Sequence, residues 1–194
     1  MHRARRCRVV GSSDRSPDVA SARFIDAPFI HPLNAPKQHA SHLRAVNLAF
    51  RTDRILLWCV ADDKPLHKDD TCLTHDMIQA RKQKWLTFHD QQTNGIMGLL
   101  PLVKDMPIRL TKTVQRHLDK RLFKNSRSKL HGWQLHPVDH ERLRSNTSQE
   151  MVLQYVPKKL YVEMPKATWT VHDRLSAGII AIEPDIATWA LVKE

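Results

Sequence analysis

The sequence has few of the residues that build a phosphate-binding loop. Its 194 residues include five glycines, and no lysine follows any of them. Enzymes that hydrolyse nucleotides through a P-loop need glycine-rich backbone amides around the phosphates and a lysine that neutralises them. No Asp-Glu pair stands in adjacent positions to supply a magnesium and water site. We therefore expect that this chain does not hydrolyse ATP by itself.

Cysteine and long apolar runs are also scarce. The three cysteines, Cys7, Cys59 and Cys72, are widely spaced, which argues against a disulfide framework and favours a reducing compartment. No apolar run approaches the roughly 20 residues that a membrane-spanning helix requires. These absences predict an intracellular protein with no membrane partner. Because Cys59 stands inside an apolar run, we expect its thiol to be buried and inert.

Acidic residues are outnumbered, with 20 Asp and Glu against 31 Lys and Arg, which gives a formal charge of +11 and a pI near 9.9. Between positions 104 and 131, nine basic residues stand against two acidic ones. This imbalance favours a polyanionic partner, although a run of charge is also typical of an ordinary solvated face. The first 23 residues carry six arginines, a composition shared by mitochondrial presequences and disordered leads. We expect residues 1–26 to be a disordered basic lead.

Apolar periodicity predicts a helix, a strand and a second helix before position 99. Apolar residues at spacings of three and four predict a helix over 37–54, with Ala40, Leu43, Val46 and Phe50 on one face. The continuous apolar run 55–61 predicts a strand buried on both faces. The second helix is expected over 74–92.

From position 99 onward, short alternating segments replace helical periodicity. They predict strands near 108–111, 130–135, 151–156, 159–164, 167–172, 178–182 and 187–192. The polar stretch 139–149 is predicted to be a loop or a single helical turn. Short strands at this spacing favour a small barrel, so the expected fold class is α/β with a β-rich second part.

Histidine and tryptophan are the remaining candidates for chemistry. The closest histidine and cysteine groupings are His39 with His42, Cys72 with His75, and His131 with His136 and His140. Closed zinc sites use tighter clusters with more cysteine, so ordinary surface or core histidines are the better interpretation and no metal is expected. Tryptophans can stack on unpaired bases. Trp133, which follows the basic stretch, is the candidate for base contact, whereas the other four fit core positions.

Two stretches resemble a known family. LPLVKDMPIRLTKTV (Leu99 to Val114) and LFKNSRSKLHGW (Leu122 to Trp133) are similar to the segment of PIF-type (petite integration frequency) superfamily-1 DNA helicases written L-x-x-G-x-P-V-M-L-x-x-N, followed by L-x-N-G-T-R-G. HLRAVNLAF (His42 to Phe50) resembles the helix after motif IV of that family. Asp105 stands at the first customary glycine, and Lys124-Asn125 replaces Asn-Gly. Motifs I, II, V and VI are not in the chain.

The likeness spans roughly residues 27–193 and implies a piece of the second half of the motor. It implies a partial second RecA-like domain over 27–98, followed by a small inserted SH3-like β-barrel over 99–194. The implied partners are single-stranded DNA and the missing helicase domains, which would bind ATP and magnesium in the parent enzyme. No catalytic residue and no cofactor is expected in this piece. The candidate DNA-binding residues are Arg109, Lys112, Lys124, Arg127, Lys129 and Trp133.

The same resemblance implies a nuclear role in DNA repair, recombination or telomere maintenance, with the mitochondrion as the alternative location. Two other interpretations stay open. The chain could be a free-standing basic module that binds nucleic acid, or a non-functional remnant of a helicase gene. A remnant would have an unpaired sheet edge and exposed apolar surface, and therefore poor solubility.

Overall fold

A computed structural model of the protein describes residues 32–63, 75–88, 92–114, 120, 122–171 and 173–188. Three helices and seven strands lie in these ranges. The helices are α1 (Asn34–Arg51), α2 (His75–Trp85) and α3 (Pro137–Ser145). The strands are β1 (Leu56–Val60), β2 (Leu99–Leu102), β3 (Pro107–Arg109), β4 (Arg127–Gln134), β5 (Glu150–Val152), β6 (Lys159–Glu163) and β7 (Ile179–Ile182). The fold is mixed α/β, which confirms the expected class.

A three-stranded sheet has β1 at its centre. Strand β2 pairs antiparallel on one side and β5 pairs parallel on the other. Successive residues of β1 point to opposite faces, and both faces are covered, because Leu56 packs below α1 and Leu57 packs in the main core. The burial of the apolar run 55–61 on both faces is therefore confirmed.

A second sheet has the order β3-β4-β6-β7, and every pairing in it is antiparallel. Within the described residues the strands form two open sheets, and the expected closed barrel is not present. The reason is the division of the strands: β2 and β5 pair with β1 and so cannot complete a ring with β4 and β6. Positions 167–171 and 187–188 form no strand, and 172 and 189–192 lie outside the described residues.

The predicted division at 98/99 separates strands that share a sheet. Strand β1 precedes this boundary, whereas its two partners, β2 and β5, follow it. The two open sheets also share one core cluster, whose buried members are Leu57, Cys59, Leu102, Leu130, Leu135, Met151 and Leu153. The boundary remains a prediction. The disordered character of 1–26 concerns residues outside the described ranges.

Cys59 lies in this shared core. It is 9% exposed, and burial is the main reason that the pKa of its thiol is raised to about 11. A thiol with such a pKa is almost wholly protonated at neutral pH and is a poor nucleophile. The expectation of a buried, inert Cys59 is confirmed.

Helix α1 is confirmed, but the predicted apolar face is not the side that packs on the sheet. The side that packs on the three-stranded sheet carries the buried residues Ala45 and Ala49, which contact Leu56 and Val103 in one cluster. Leu43 and Phe50, which belong to the predicted apolar face, are 50% and 77% exposed. Small side chains let a helix lie close to a sheet, and here the sheet supplies the larger apolar groups.

His42 fixes the helix to the edge of this sheet. Its Nε2 lies 3.2 Å from the carbonyl oxygen of Leu99, and its ring meets Trp58 edge to face at 5.4 Å between centroids. Desolvation lowers the pKa of His42, although the hydrogen bond to Leu99 acts in the opposite direction. The fold therefore favours the neutral ring.

We expect the free energy of unfolding to fall as pH drops from about 7 to about 5. The unfolded chain takes up the His42 proton near the ordinary histidine pKa of about 6.5 before the folded chain does. The stabilisation is thus complete above that pH and is lost as pH falls through the lower folded value. Urea unfolding at several pH values checks this. His42→Gln, which can still donate to Leu99, should flatten the dependence. An unchanged slope in that variant would contradict the assignment.

Candidate nucleic-acid interface

The hairpin of β3 and β4 presents a row of basic side chains. Arg109 lies directly opposite Arg127, and Lys129 lies opposite Pro107. Alternation along β4 buries Ser128 and Leu130, while the three basic residues are exposed. We name Arg109, Arg127 and Lys129 the basic face. Like charges placed directly across two strands are destabilising, so this arrangement favours a bound anion between them.

Lys124 extends the basic face at its end. It lies in the tight turn that leads into β4, where the Ser126 amide donates to the Phe123 carbonyl at 3.0 Å. Asn125 in this turn has a φ of 70°, a left-handed conformation that asparagine tolerates better than most residues. The Arg109 guanidinium donates to the Asn125 carbonyl at 3.1 Å. This bond fixes the turn beside the strand, and the exposed Lys124 in this turn precedes Arg127 and Lys129 of β4.

Lys112, another of the predicted DNA-binding residues, is paired with an acidic side chain. Its ammonium forms a hydrogen-bonded ion pair with the carboxylate of Asp185. The hydrogen bond from Lys112 is the first reason that the pKa of Asp185 is lowered. Both side chains are more than half exposed, so the pair is screened by water and salt. A phosphate must compete with Asp185 for Lys112.

We expect Asp185→Asn to strengthen binding of single-stranded DNA. The substitution frees Lys112 and removes one negative charge, so affinity should rise several-fold at low salt. The log-log salt slope should steepen by about 0.7, the value for one more neutralised phosphate on a single strand. Titration of a labelled oligonucleotide at three or more salt concentrations measures both. Glu183→Gln, which removes a nearby carboxylate that pairs with Lys159 at 3.2 Å, is the matched control and should leave the slope unchanged.

Trp133 does not share a surface with the basic face. The pairing of β4 with β6 has an irregularity between Leu130 and Gly132, where His131 is the extra residue. An extra residue in one strand reverses the alternation of the side chains that follow. Trp133 therefore turns inward and packs, half-buried, against the shared core. Its predicted base contact would need the ring to leave that position.

One carboxylate borders the basic face on the β6 side. Glu163 lies opposite Lys129 in the register, and its carboxylate is 4.0 Å from Nδ1 of His131. The basic side chains of this face therefore form a strip along β3 and β4 that Glu163 borders on the β6 side. Such a strip fits a single polynucleotide strand better than the wide, doubly charged surface of a duplex.

A turn at Asp105 precedes the hairpin, and the amino-acid composition alone did not predict it. Asp105 has a φ of 63°, and it is followed by the strand that carries Arg109. In the turn that Asp105 occupies, the Met106 amide donates to the Val103 carbonyl at 3.1 Å. Asp105 stands where the helicase motif that Leu99 to Val114 resembles has a glycine, and that glycine could have indicated a left-handed backbone conformation here. The two turns at Asp105 and Asn125 frame the hairpin that presents the basic face.

The described residues include neither a cluster of metal-ligating side chains nor a helix that could span a membrane. No group of three or more His, Cys, Asp or Glu side chains suited to a metal ion occurs within the described ranges. The grouping of Cys72 with His75 includes a residue outside those ranges. None of the described helices is both long enough and apolar enough to cross a membrane.

Comparison with known proteins identifies no relative. No family model, no curated protein and no solved structure matches the chain.

Proposed function

We propose that this chain is part of the second half of a PIF-type DNA helicase motor, and that it holds single-stranded DNA without hydrolysing ATP. The observation that carries the proposal is the backbone conformation at two motif positions. Asp105 and Asn125 stand where the family motif has glycine, and they have φ values of 63° and 70°. Residues other than glycine adopt this conformation in only a few per cent of cases. Five do so in the described part of the chain.

Hydrogen bonds explain why both positions need this conformation. At the first turn, the Asp105 amide donates to the Leu130 carbonyl at 2.6 Å, and the Leu130 amide donates to the Met106 carbonyl at 2.9 Å. At the second turn, the Asn125 amide donates to the Leu110 carbonyl at 2.7 Å. The motif glycines thus correspond to turns at the two ends of the β3–β4 hairpin. Asp105 also pairs with Arg54, which gives a reason for an acid at that turn.

The finer fold assignment belongs to the same proposal. Helix α1 and strand β1 would correspond to part of a RecA-like domain, and the sheet β3-β4-β6-β7 to the inserted SH3-like part. ATP and magnesium would be bound by the missing domains of the motor, and the nucleus, or alternatively the mitochondrion, would be the site of action. This chain would contribute the binding of single-stranded DNA.

The geometry predicts the path of the bound strand. Arg127 and Lys129 are two residues apart on one face of β4, a separation of about 7 Å at the usual rise of 3.3 to 3.4 Å per residue. Lys124 precedes them at the turn, and Arg109 lies beside Arg127. We infer that the polynucleotide backbone runs along β4 and that successive phosphates meet Lys124, Arg127 and Lys129. Bases need not be recognised, so binding should tolerate any sequence.

Fluorescence anisotropy of a labelled single-stranded oligonucleotide, titrated with the full chain at two salt concentrations, tests the proposal. Four phosphate contacts, from Arg109, Lys124, Arg127 and Lys129, predict a log-log slope near −2.8, at about −0.7 per contact. Binding should not change when ATP and magnesium are added. An equally long duplex should bind more weakly. Absence of binding at low salt would reject the proposal, and stronger binding to duplex would reject the single-strand assignment.

One observation favours the free-standing module as the second candidate. Side chains form hydrogen bonds with the backbone on the outer edge of β5. Ser148 Oγ accepts from the Glu150 amide at 3.2 Å, and the Arg142 guanidinium donates to the Val152 carbonyl at 3.2 Å. Protected edges are typical of sheets that end there, whereas a RecA-like sheet would continue. A chain that is monomeric, unfolds cooperatively and binds DNA would favour this candidate. Aggregation at low concentration would instead favour the remnant.

A further inference from the structure

Helix α1 has a second apolar side that is solvent-exposed. Leu43, Val46 and Phe50 are 50%, 39% and 77% exposed. Positions on an α-helix advance by about 100° per residue, so the middle of this stripe lies roughly 110° around the helix from Ala45 and Ala49, which face the sheet. Single exposed apolar residues are ordinary, but a contiguous stripe on one helix marks an interaction surface.

Two residues of this stripe, Leu43 and Phe50, also belong to a set with the spacing of a coiled-coil seam. Ala40, Leu43, Asn47 and Phe50 follow one another at intervals of three, four and three residues. Intervals of this kind place side chains where a partner helix can receive them as knobs in holes. A single asparagine within such a seam sets the register of the partner. The seam covers about three turns, which predicts a modest contact area.

Basic residues border this seam on one side. Lys37, Arg44 and Arg51 are seven residues apart and exposed, and α1 contains no Asp or Glu. In coiled coils the charges that flank the seam decide which partner is accepted. The flank of α1 therefore selects acidic side chains. A second copy of this chain is disfavoured, because it carries the same basic flank and a formal charge of +11.

We propose that the outer face of α1 docks an amphipathic helix of another protein, with aliphatic side chains against Leu43 and Phe50 and acidic side chains along the flank of Lys37, Arg44 and Arg51. This surface is separate from the basic face, and the proposal does not rest on DNA binding. Because the seam is short, the interface belongs to the weak, transient class, and the dissociation constant should be on the order of micromolar.

The test uses a synthetic helical peptide of three heptads with leucine at both seam positions and glutamate at both flanking positions. Its affinity for the full chain is measured by fluorescence anisotropy and compared with that of a peptide carrying lysine at the flanks. We expect the glutamate peptide to bind at least tenfold more tightly. The double substitution Leu43→Ser and Phe50→Ser should weaken that binding at least tenfold. Ile186→Ser, at an apolar residue that is 93% exposed elsewhere, should not. Thermal unfolding of both variants checks that the fold is retained.

Five results would overturn the proposal. The first is no binding of the glutamate peptide, and the second is equal binding of the lysine peptide. The third is a loss of peptide binding on removal of Arg109, Arg127 and Lys129, which would place the peptide on the basic face. The fourth is self-association, measured by sedimentation, that disappears in the double variant, which would make a second copy the occupant. Binding to vesicles of anionic phospholipid without binding to the peptide would count against it equally.

Discussion

Replacing Asp139 by alanine should lower the free energy of unfolding by about 3 kcal/mol or more, a large share of the stability of a domain of this size. Asp139 is fully buried in the first turn of α3. Its Oδ1 accepts hydrogen bonds from the Arg142 guanidinium at 2.8 Å and the Gln154 amide at 3.0 Å, and its Oδ2 accepts from the Tyr155 amide at 2.9 Å. One carboxylate thus joins the helix to the chain that leaves β5.

The cost follows from the groups that the substitution leaves behind. Two partly buried backbone amides lose their acceptor, each at about 1 to 3 kcal/mol where no other partner replaces it, and Arg142 loses the charge it faces. Asp139→Asn keeps the shape and one acceptor oxygen, so it should cost less than alanine. Glu141→Ala is the matched control, because Glu141 is exposed and pairs with Arg144 only at 3.8 Å. It should change stability by less than about 0.5 kcal/mol.

Urea unfolding monitored by tryptophan fluorescence gives the three free energies. The expected order of loss is alanine, then asparagine, then the Glu141 control. If Asp139→Ala were no more destabilising than Glu141→Ala, the carboxylate would not be the link between α3 and the chain after β5. Asp139→Ala should also raise the reactivity of Cys59 towards thiol reagents, because burial and then the nearby charge of Asp139 are the causes that raise the pKa of that thiol.

Helix α3 shows what apolar periodicity cannot predict. The stretch 139–149 has no apolar stripe, which is why a loop or a single turn was the expectation, yet Pro137–Ser145 is helical. The signals that were present are local. Pro137 stands at the first turn, Asp139 follows in the same turn, and the His136 ring accepts from the Val138 amide at 3.3 Å. Proline and acidic residues at helix starts are favoured for reasons independent of amphipathicity.

For helix α1, periodicity predicted the helix but not which of its faces packs on the sheet. Its periodicity predicted the element correctly, but two apolar stripes were available, and the larger side chains are on the exposed one. Which stripe faces the core is decided by tertiary fit: Leu56 and Val103 already fill the space, so only alanines can enter it. The exposed stripe is therefore compatible with a second, intermolecular use.

The candidate site was predictable to the extent that it depends on strand alternation. Arg109, Arg127 and Lys129 share a face because β3 and β4 pair in register, as an alternating pattern implies. The position of Trp133 was not predictable, since it depends on one extra residue at His131. The pairing of Lys112 with Asp185 joins residues 73 positions apart, and no local pattern reports such a contact.

The triple substitution of Arg109, Arg127 and Lys129 by alanine should have the largest effect on DNA binding. If each residue neutralises one phosphate, the log-log salt slope should become shallower by about 2, at about 0.7 per contact. For affinities that converge near 1 M salt, this slope difference corresponds to a loss on the order of a hundredfold at 0.1 M salt. Stability should change little, because the loss of the hydrogen bond from Arg109 to the Asn125 carbonyl is offset by removal of the repulsion between Arg109 and Arg127 across the strands.

The matched control removes the same charge from another place. Lys37, Arg44 and Arg51 on α1 are also two arginines and a lysine, so alanine at all three lowers the net charge equally, from +11 to +8. If affinity depends on net charge alone, the two triple variants will lose it equally, and the basic face will have no special role. If the strip along β4 holds the strand, the α1 variant will keep most of its affinity and its slope. Both variants carry the same number of charges. Only the second outcome would therefore show that the position of the basic residues, and not the net charge, determines DNA binding.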